Sequence, residues 1–279
     1  RSRKNLIGED EENPLGRKMI GVKARETLRA GIGAAGCKKP KPGPNYGRGV
    51  AMYERATGAG KGWILVTAEL DGSFTIFTVS GDQGTGLRTI MCQTVASEME
   101  VPYDQVRCRN GNTSEVPYNV DIGFGGSRST NIGGHAVIKA CGELRAKLIA
   151  QAAQMLKCAE EKVVYKAARF SIRDTPSKSF TLREVVAASG PITASVEVEV
   201  PRKGSSTSYV AQVAEVEVDP ETGHVKLHRF VSAHDVGTII NPIAHQGQID
   251  GAAMMAIGSS LMEEMIGDNG KIKTTNLGE

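Results

Sequence analysis

The chain has 279 residues, 40% of them hydrophobic and only 5% aromatic, with 33 glycines and a formal net charge of +3. That charge is too small to point to nucleic acid, and no run of about 18 apolar residues exists for a membrane span. The five cysteines, Cys37, Cys92, Cys108, Cys141 and Cys158, form no C-x-x-C pair, which disfavours a disulfide framework or zinc ribbon and fits reduced thiols in the cytoplasm.

In chain order, residues 1–20 read as a charged peripheral segment without the apolar core of a secretory leader. A short helix is expected at Ala24–Leu28. The Pro/Lys run from Lys38 to Pro44 cannot be helical and reads as a linker. Gly62 to Leu70 and Ser73 to Val79 read as a hairpin around Asp71-Gly72. The Gly-rich stretch Ser80 to Gly86 then opens a helix over Leu87 to Glu98, and Val101 to Asn110 reads as a strand. A second Gly-rich turn, Gly123 to Ser129, feeds a long helix from about Ile132 to Lys157, with Ala136, Val137, Ala140, Cys141, Leu144 and Leu148 on one stripe.

Thr181-Leu182-Arg183-Glu184 has the form of a capping box at the start of a short helix over Phe180–Ala188. A strand follows within Gly190–Pro201. Tyr209 to Val218 alternates cleanly and returns through His224 to Val231. After His234-Asp235-Val236-Gly237 and Asn241-Pro242, Gly247-Gln248 is expected as a third turn leading into an apolar helix through Met262. The plan predicts an α+β fold built twice from β-hairpin, Gly-rich turn and helix, with mixed sheets and packed helices. The expected divisions are a peripheral segment and linker at 1–45, a first subdomain at 46–190 and a second at 191–279.

Glycine-rich turns that open helices let main-chain N–H groups and the helix dipole face an anion. Gln83, Gly84, Thr85 and Gly86 form one such station. Gly125, Gly126, Ser127 and Arg128 form another, where the guanidinium offers a forked donor to phosphate. Gln248 offers both a donor and an acceptor to the edge of a heterocycle. A plain structural turn is the alternative at each, and neither a P-loop nor a dinucleotide fingerprint is present. His234-Asp235 lacks a serine partner and reads as structural. The five histidines are not at metal-ligand spacing, so neither catalytic nor metal-ligating residues are assigned.

The order of these motifs resembles the molybdopterin-binding part of the molybdenum hydroxylases, the xanthine dehydrogenase and aldehyde oxidase family. The resemblance runs from Arg3-Lys4-Asn5-Leu6-Ile7 through Asp82 to Thr89 and Gly125 to Arg128. It ends on His234 to Gly237, Ile240-Asn241-Pro242 and Gly247-Gln248. It implies that Gln83, Gly84, Thr85 and Gly86 face the pterin end of a molybdenum cofactor. Gly125, Gly126, Ser127 and Arg128 would hold the pterin or its phosphate, and Gln248 the pterin edge. Thr85 stands where many members have Gln.

The implied activity is hydroxylation of an N-heterocycle or aldehyde with water as oxygen source, by a cofactor in the molybdopterin or cytosine dinucleotide form. Iron–sulfur clusters and FAD would lie on partner chains or domains, beside the other half of the molybdenum subunit. The family's base glutamate lies in a Gly-x-Gly-Glu segment beyond the matched region, so the second subdomain reads as truncated and the chain alone as inactive. Two other readings stay open: a scaffold or assembly subunit that binds no cofactor, and a phosphate-binding module of unrelated function.

Overall fold

The computed structural model describes residues 5–112, 114–115, 123, 125–201 and 207–276. Arg3, Lys4 and Phe124 of the motifs above, and Glu279, lie outside the described residues. Helices and strands are mixed, as an α+β chain requires. In chain order they are α1 (Ala24–Ala35), β1 (Tyr46–Ala56), β2 (Gly60–Ala68), β3 (Phe74–Thr78), α2 (Leu87–Glu98), β4 (Val106–Asn110), α3 (Arg128–Leu156), β5 (Val163–Lys166), β6 (Arg169–Ile172), β7 (Thr175–Thr181), α4 (Leu182–Ser189), β8 (Ile192–Val200), β9 (Thr207–Val218), β10 (Val225–Asp235) and α5 (Pro242–Leu261).

Contacts divide the chain into Arg1–Arg55 with Ser206–Glu279, and Ala56–Ser205. This differs from the expected 46–190 and 191–279 halves, and the reason is strand pairing. β1 and β2 follow each other closely, yet β1 joins the β1-β9-β10 sheet while β2 joins the β4-β3-β2-β8 sheet. β8, expected in the second half, pairs antiparallel with β2 along its length, from Gly60↔Val200 to Ala68↔Ile192.

In the unit formed by both ends of the chain, α1 lies on β9 and β10. Its fit is close: a Cβ on Gly31 would stand 3.4 Å from the Cβ of Ala211. Arg229 on β10 donates to the Ala34 and Ala35 carbonyls at 2.6 and 3.3 Å, satisfying acceptors at the C-terminus of α1, where the helix dipole favours a cation. Arg48 and Glu215 form a nearly buried ion pair at 2.7 Å, with side-chain exposures of 13% and 11%. The same guanidinium donates to the Lys39 carbonyl at 2.5 Å and to the Cys37 carbonyl at 3.4 Å. One buried cation thus ties β1, β9 and the segment after α1.

In the central unit, the β2–β3 hairpin turns at Asp71, whose carboxylate accepts from the Ser73 N–H and hydroxyl, with Gly72 at φ +83. β4 runs parallel to β3, which needs a crossover, and α2 supplies it. α3 packs on β2, β8 and α2. Its buried stripe is the expected one, Ile132, Ala136, Val137, Ala140, Cys141, Leu144 and Leu148, meeting Ile64, Val66, Phe74 and Ile76 from the sheet. α3 starts at Arg128, earlier than expected. The capping box is present: the Thr181 hydroxyl accepts from the Glu184 N–H, and the Glu184 carboxylate accepts from the Thr181 N–H at 2.7 Å. The β5-β6-β7 sheet was not foreseen.

Removing one partner of a buried ion pair strands the other charge. Glu215→Ala is therefore expected to lower the stability of its unit by about 3 kcal/mol. Paired replacement by Arg48→Met and Glu215→Leu is expected to recover most of that loss, read by amide hydrogen exchange along β9.

Candidate functional site

Both Gly-rich turns of the central unit lie at one end of its sheet. Gly84–Gly86 follows β3 and opens α2, whose cap is Gly86 at φ +78. The register Ile64↔Thr78 puts the start of β2, at Gly60, at this same end. The second turn sits against Gly60 and Gly58. Gly58 donates its N–H to the Gly126 carbonyl at 2.6 Å, and Asn131 Nδ2 donates to the Gly58 carbonyl at 2.8 Å. At the far end of α2, Arg145 of α3 donates to the Glu98 carbonyl, so α2 and α3 run side by side in the same direction. Two positive helix ends therefore face one region.

The two stations differ in how their N–H groups are used. The Asp82 carboxylate accepts from Gly84 N at 3.0 Å, Gly86 N at 3.3 Å and Arg88 N at 3.3 Å. The first turn therefore already holds an internal anion. Gly84 has φ +94, and a Cβ placed on it would meet nothing within 4 Å, so this turn borders open space. At the second turn Ser127 caps α3 at φ 58 without a side-chain cap bond, and Gly126 has φ +69. No carboxylate stands there to match Asp82 among the described residues.

The Arg128 side chain packs closely. Its side chain lies along glycines: a Cβ on Gly58 would stand 2.2 Å from Arg128 Cγ, one on Gly123 2.9 Å from Nη1, and one on Gly60 3.0 Å from Nη2. A Cβ on Gly126 would stand 3.0 Å from the Gly58 nitrogen. These glycines exist because backbone and the arginine stem fill the space a side chain would need.

Below the first turn lie polar atoms that sequence reasoning missed. Ser80 is 1% exposed and its hydroxyl has no hydrogen-bond partner among the described residues. Asn110 Oδ1, at the end of β4 opposite Thr78, and Gln93 Oε1 on α2 are also buried and unpartnered. Such groups are costly unless a partner arrives. The spacing of Asp82 before Gly84 was a readable signal for an Asx-type turn; nothing local signals Ser80 or Asn110.

The third station is corrected. Asn241 caps α5 by accepting from Ala244 N at 3.1 Å, with Pro242 at the first position, so Gly247 and Gln248 lie inside the helix rather than in a turn before it. Gln248 belongs to the unit of the chain ends, and the other eight nominated residues to the central unit.

The remaining chemistry is quiet. His234 bonds the Ser232 hydroxyl at 2.7 Å, two residues away on the same strand face. Asp235 is its sequence neighbour and points to the other face. Burial, then the charge of His245, holds the His234 ring below its ordinary range. Burial pushes the thiols of Cys108 and Cys141 up to about 12, so neither is a ready nucleophile. Among the described residues no group of three His, Cys, Asp or Glu is placed to hold a metal, and no helix is long and apolar enough to cross a membrane.

The family model described as molybdopterin cofactor-binding domain matches residues 17–279. The chain is 29% identical over 260 residues to the nicotine 6-hydroxylase large subunit of Paenarthrobacter nicotinovorans, covering 85% of this chain and 32% of that protein. It is 30% identical over 259 residues to an aldehyde oxidoreductase molybdenum-binding subunit of Escherichia coli (strain K12), covering 88% of this chain and 33% of that protein. Among solved structures it resembles the reconstituted CO dehydrogenase from Oligotropha carboxidovorans, with a TM-score of 0.80 at 23% identity, over 97% of this chain and 38% of that one. The chain thus spans about a third of the length of these relatives.

Two outcomes follow from the geometry. Gly58→Ala is expected to cost about 1–3 kcal/mol by overpacking and to speed amide exchange over Gly125–Ile132, whereas Gly134→Ala, which meets nothing within 4 Å, is expected not to slow refolding or loosen that segment. Burial holds the His234 ring below its ordinary range, so the unfolded chain takes up the proton first as pH falls below about 6.5. His234 therefore contributes stability above that pH and loses it on acidification toward its folded value. Urea titrations at pH 7.5 and 5.5 are expected to show a smaller acid loss for His234→Asn than for the parent chain.

Proposed function

Because the chain belongs to the molybdopterin cofactor-binding domain family, found in molybdenum hydroxylases of the xanthine dehydrogenase and aldehyde oxidase type, we propose that it forms one flank of a molybdenum cofactor site in such an oxidoreductase. The carrying observation is the pair of Gly-rich helix starts at one sheet end, beside the buried Ser80 hydroxyl, which has no hydrogen-bond partner among the described residues. The residues fit the cofactor's polar end. Open space over Gly84 admits a ring, and Ser80 and Asn110 supply unmatched hydrogen-bonding atoms. When bound, the cofactor supplies the oxygen-transfer and redox chemistry of hydroxylation.

This chain's own residues bind and orient. Gln83, Gly84, Thr85 and Gly86 face the pterin end. Asp82 neutralises the N–H groups of that turn and repels a phosphate from it, so the cofactor's anionic end goes to the second turn. Gly125, Gly126 and Ser127 meet that end. Arg128 acts by holding the turn and by its positive charge. The substrate class is an N-heterocycle or an aldehyde, and in a bacterial cytoplasm the cofactor takes the cytosine dinucleotide form.

The partners are the rest of the molybdenum subunit and iron–sulfur and FAD chains or domains. α5 supports the need for a companion: none of its 20 residues is buried, and Ile243, Met254 and Met255 are 87%, 67% and 71% exposed. An apolar helix so exposed is a contact surface awaiting cover.

The test is retained pterin, read as its fluorescent oxidation product, in complexes isolated through a tag on this chain. Gly126→Ala and Asp82→Asn are each expected to lower retention about tenfold, or about 1.4 kcal/mol. Asp82→Glu is expected to restore part of it, and Lys178→Ala, on the exposed β7, none of the loss. Full retention in both variants contradicts the assignment.

A further inference from the structure

At the opposite end of the central unit's sheet, three arginines line one cavity of about 440 Å³. Arg107 lies at the start of β4, Arg169 opens β6, and Arg183 stands on the first turn of α4. β3 begins at Phe74 beside this cavity and ends at Thr78 below the cofactor turns, so the strand's length of roughly 17 Å separates the two places.

None of the three guanidiniums makes an ion pair within 4 Å among the described residues. The acids nearby hold hydrogen bonds of their own, while the charges of Arg107 and Arg169 also act on Asp71 and Glu184. Asp71 accepts from the Ser73 N–H at 2.9 Å and its hydroxyl at 2.6 Å. Glu184 accepts from the Thr181 N–H at 2.7 Å and its hydroxyl at 2.8 Å. Asp104 also lines the cavity and is exposed. Arg169 uses one donor, Nη1, on the Ser179 hydroxyl at 3.0 Å.

The walls leave the volume open. Gly72 packs under the Arg183 stem, where a Cβ would stand 3.3 Å from Arg183 Cβ. Ala167 and Ala168 turn the chain with φ of 45 and 56, a conformation that ordinarily takes Gly or Asn. They are held there by Glu100, which accepts from Ala167 N at 2.9 Å, and by Leu182 N, which donates to the Ala168 carbonyl at 2.8 Å.

We propose that this cavity is a second anion site, taking a small phosphate-bearing molecule such as a phosphomonoester or diphosphate. Each guanidinium carries five donors in a planar fork suited to phosphate oxygens. Three forks around one volume exceed what the two oxygens of a single carboxylate accept, whereas the oxygens of a diphosphate meet them. Three Arg stand against Asp71 and Asp104 in the lining itself, with Glu184 just beyond it.

The test is calorimetric titration of the full chain with inorganic pyrophosphate at fixed ionic strength. Saturable binding is expected, weakened about tenfold by each of Arg107→Gln, Arg169→Gln and Arg183→Gln and unchanged by Lys139→Gln, an exposed residue of α3. All three arginines are exposed, so the variants are expected to keep the parent's unfolding midpoint. Absence of saturable heat, binding that survives the triple variant, or binding lost only with Gly126→Ala overturns the proposal.

Discussion

The packing of Arg128 against glycines governs where the central unit can hold anything. Its stem lies where a Cβ on Gly58 would be, 2.2 Å from such an atom, and its tip lies against Gly60 and Gly123. The Gly58 N–H reaches the Gly126 carbonyl at 2.6 Å only because neither residue has a side chain. This contact fixes the start of a 29-residue helix to the start of the strand it covers. The buried stripe of that helix, from Ile132 to Leu148, then carries the position through the core.

With α3 anchored in this way and α2 beside it, the polarity of two helices converges on one sheet end. The two starts are not equivalent. Asp82 satisfies the first turn from within, through three N–H groups. Among the described residues the second turn carries no such carboxylate. A ligand with a hydrogen-bonding ring and an anionic tail therefore has one orientation that places the tail away from Asp82. The Ser80 hydroxyl and Asn110 Oδ1 near that end are buried without a hydrogen-bond partner among the described residues.

Much of the local structure is legible in the sequence because local chemistry sets it. Leu87–Glu98 forms the helix its apolar spacing predicts, and Thr181 with Glu184 forms the predicted capping box. The long-range pairing is not legible. β1 and β2 are close in sequence yet enter different sheets, and β8 returns to β2 across more than a hundred residues, which no local pattern encodes. β7 escaped because Thr175 to Lys178 are all exposed, so no apolar alternation marks it. At the site, the glycines of the two turns were readable, but Gly58 and Gly60 were not, because they answer to Arg128, which is distant in sequence. Gly247-Gln248 read as a turn because glycine outweighed the Asn241-Pro242 start signal ahead of it.

The central claim is that this chain holds a molybdenum cofactor within a larger oxidoreductase. Elemental mass spectrometry of the complex isolated from native cells through this chain measures it most directly. Near-stoichiometric molybdenum together with co-purifying partner chains is the predicted result. Partner chains present in full, with molybdenum at background, would contradict it.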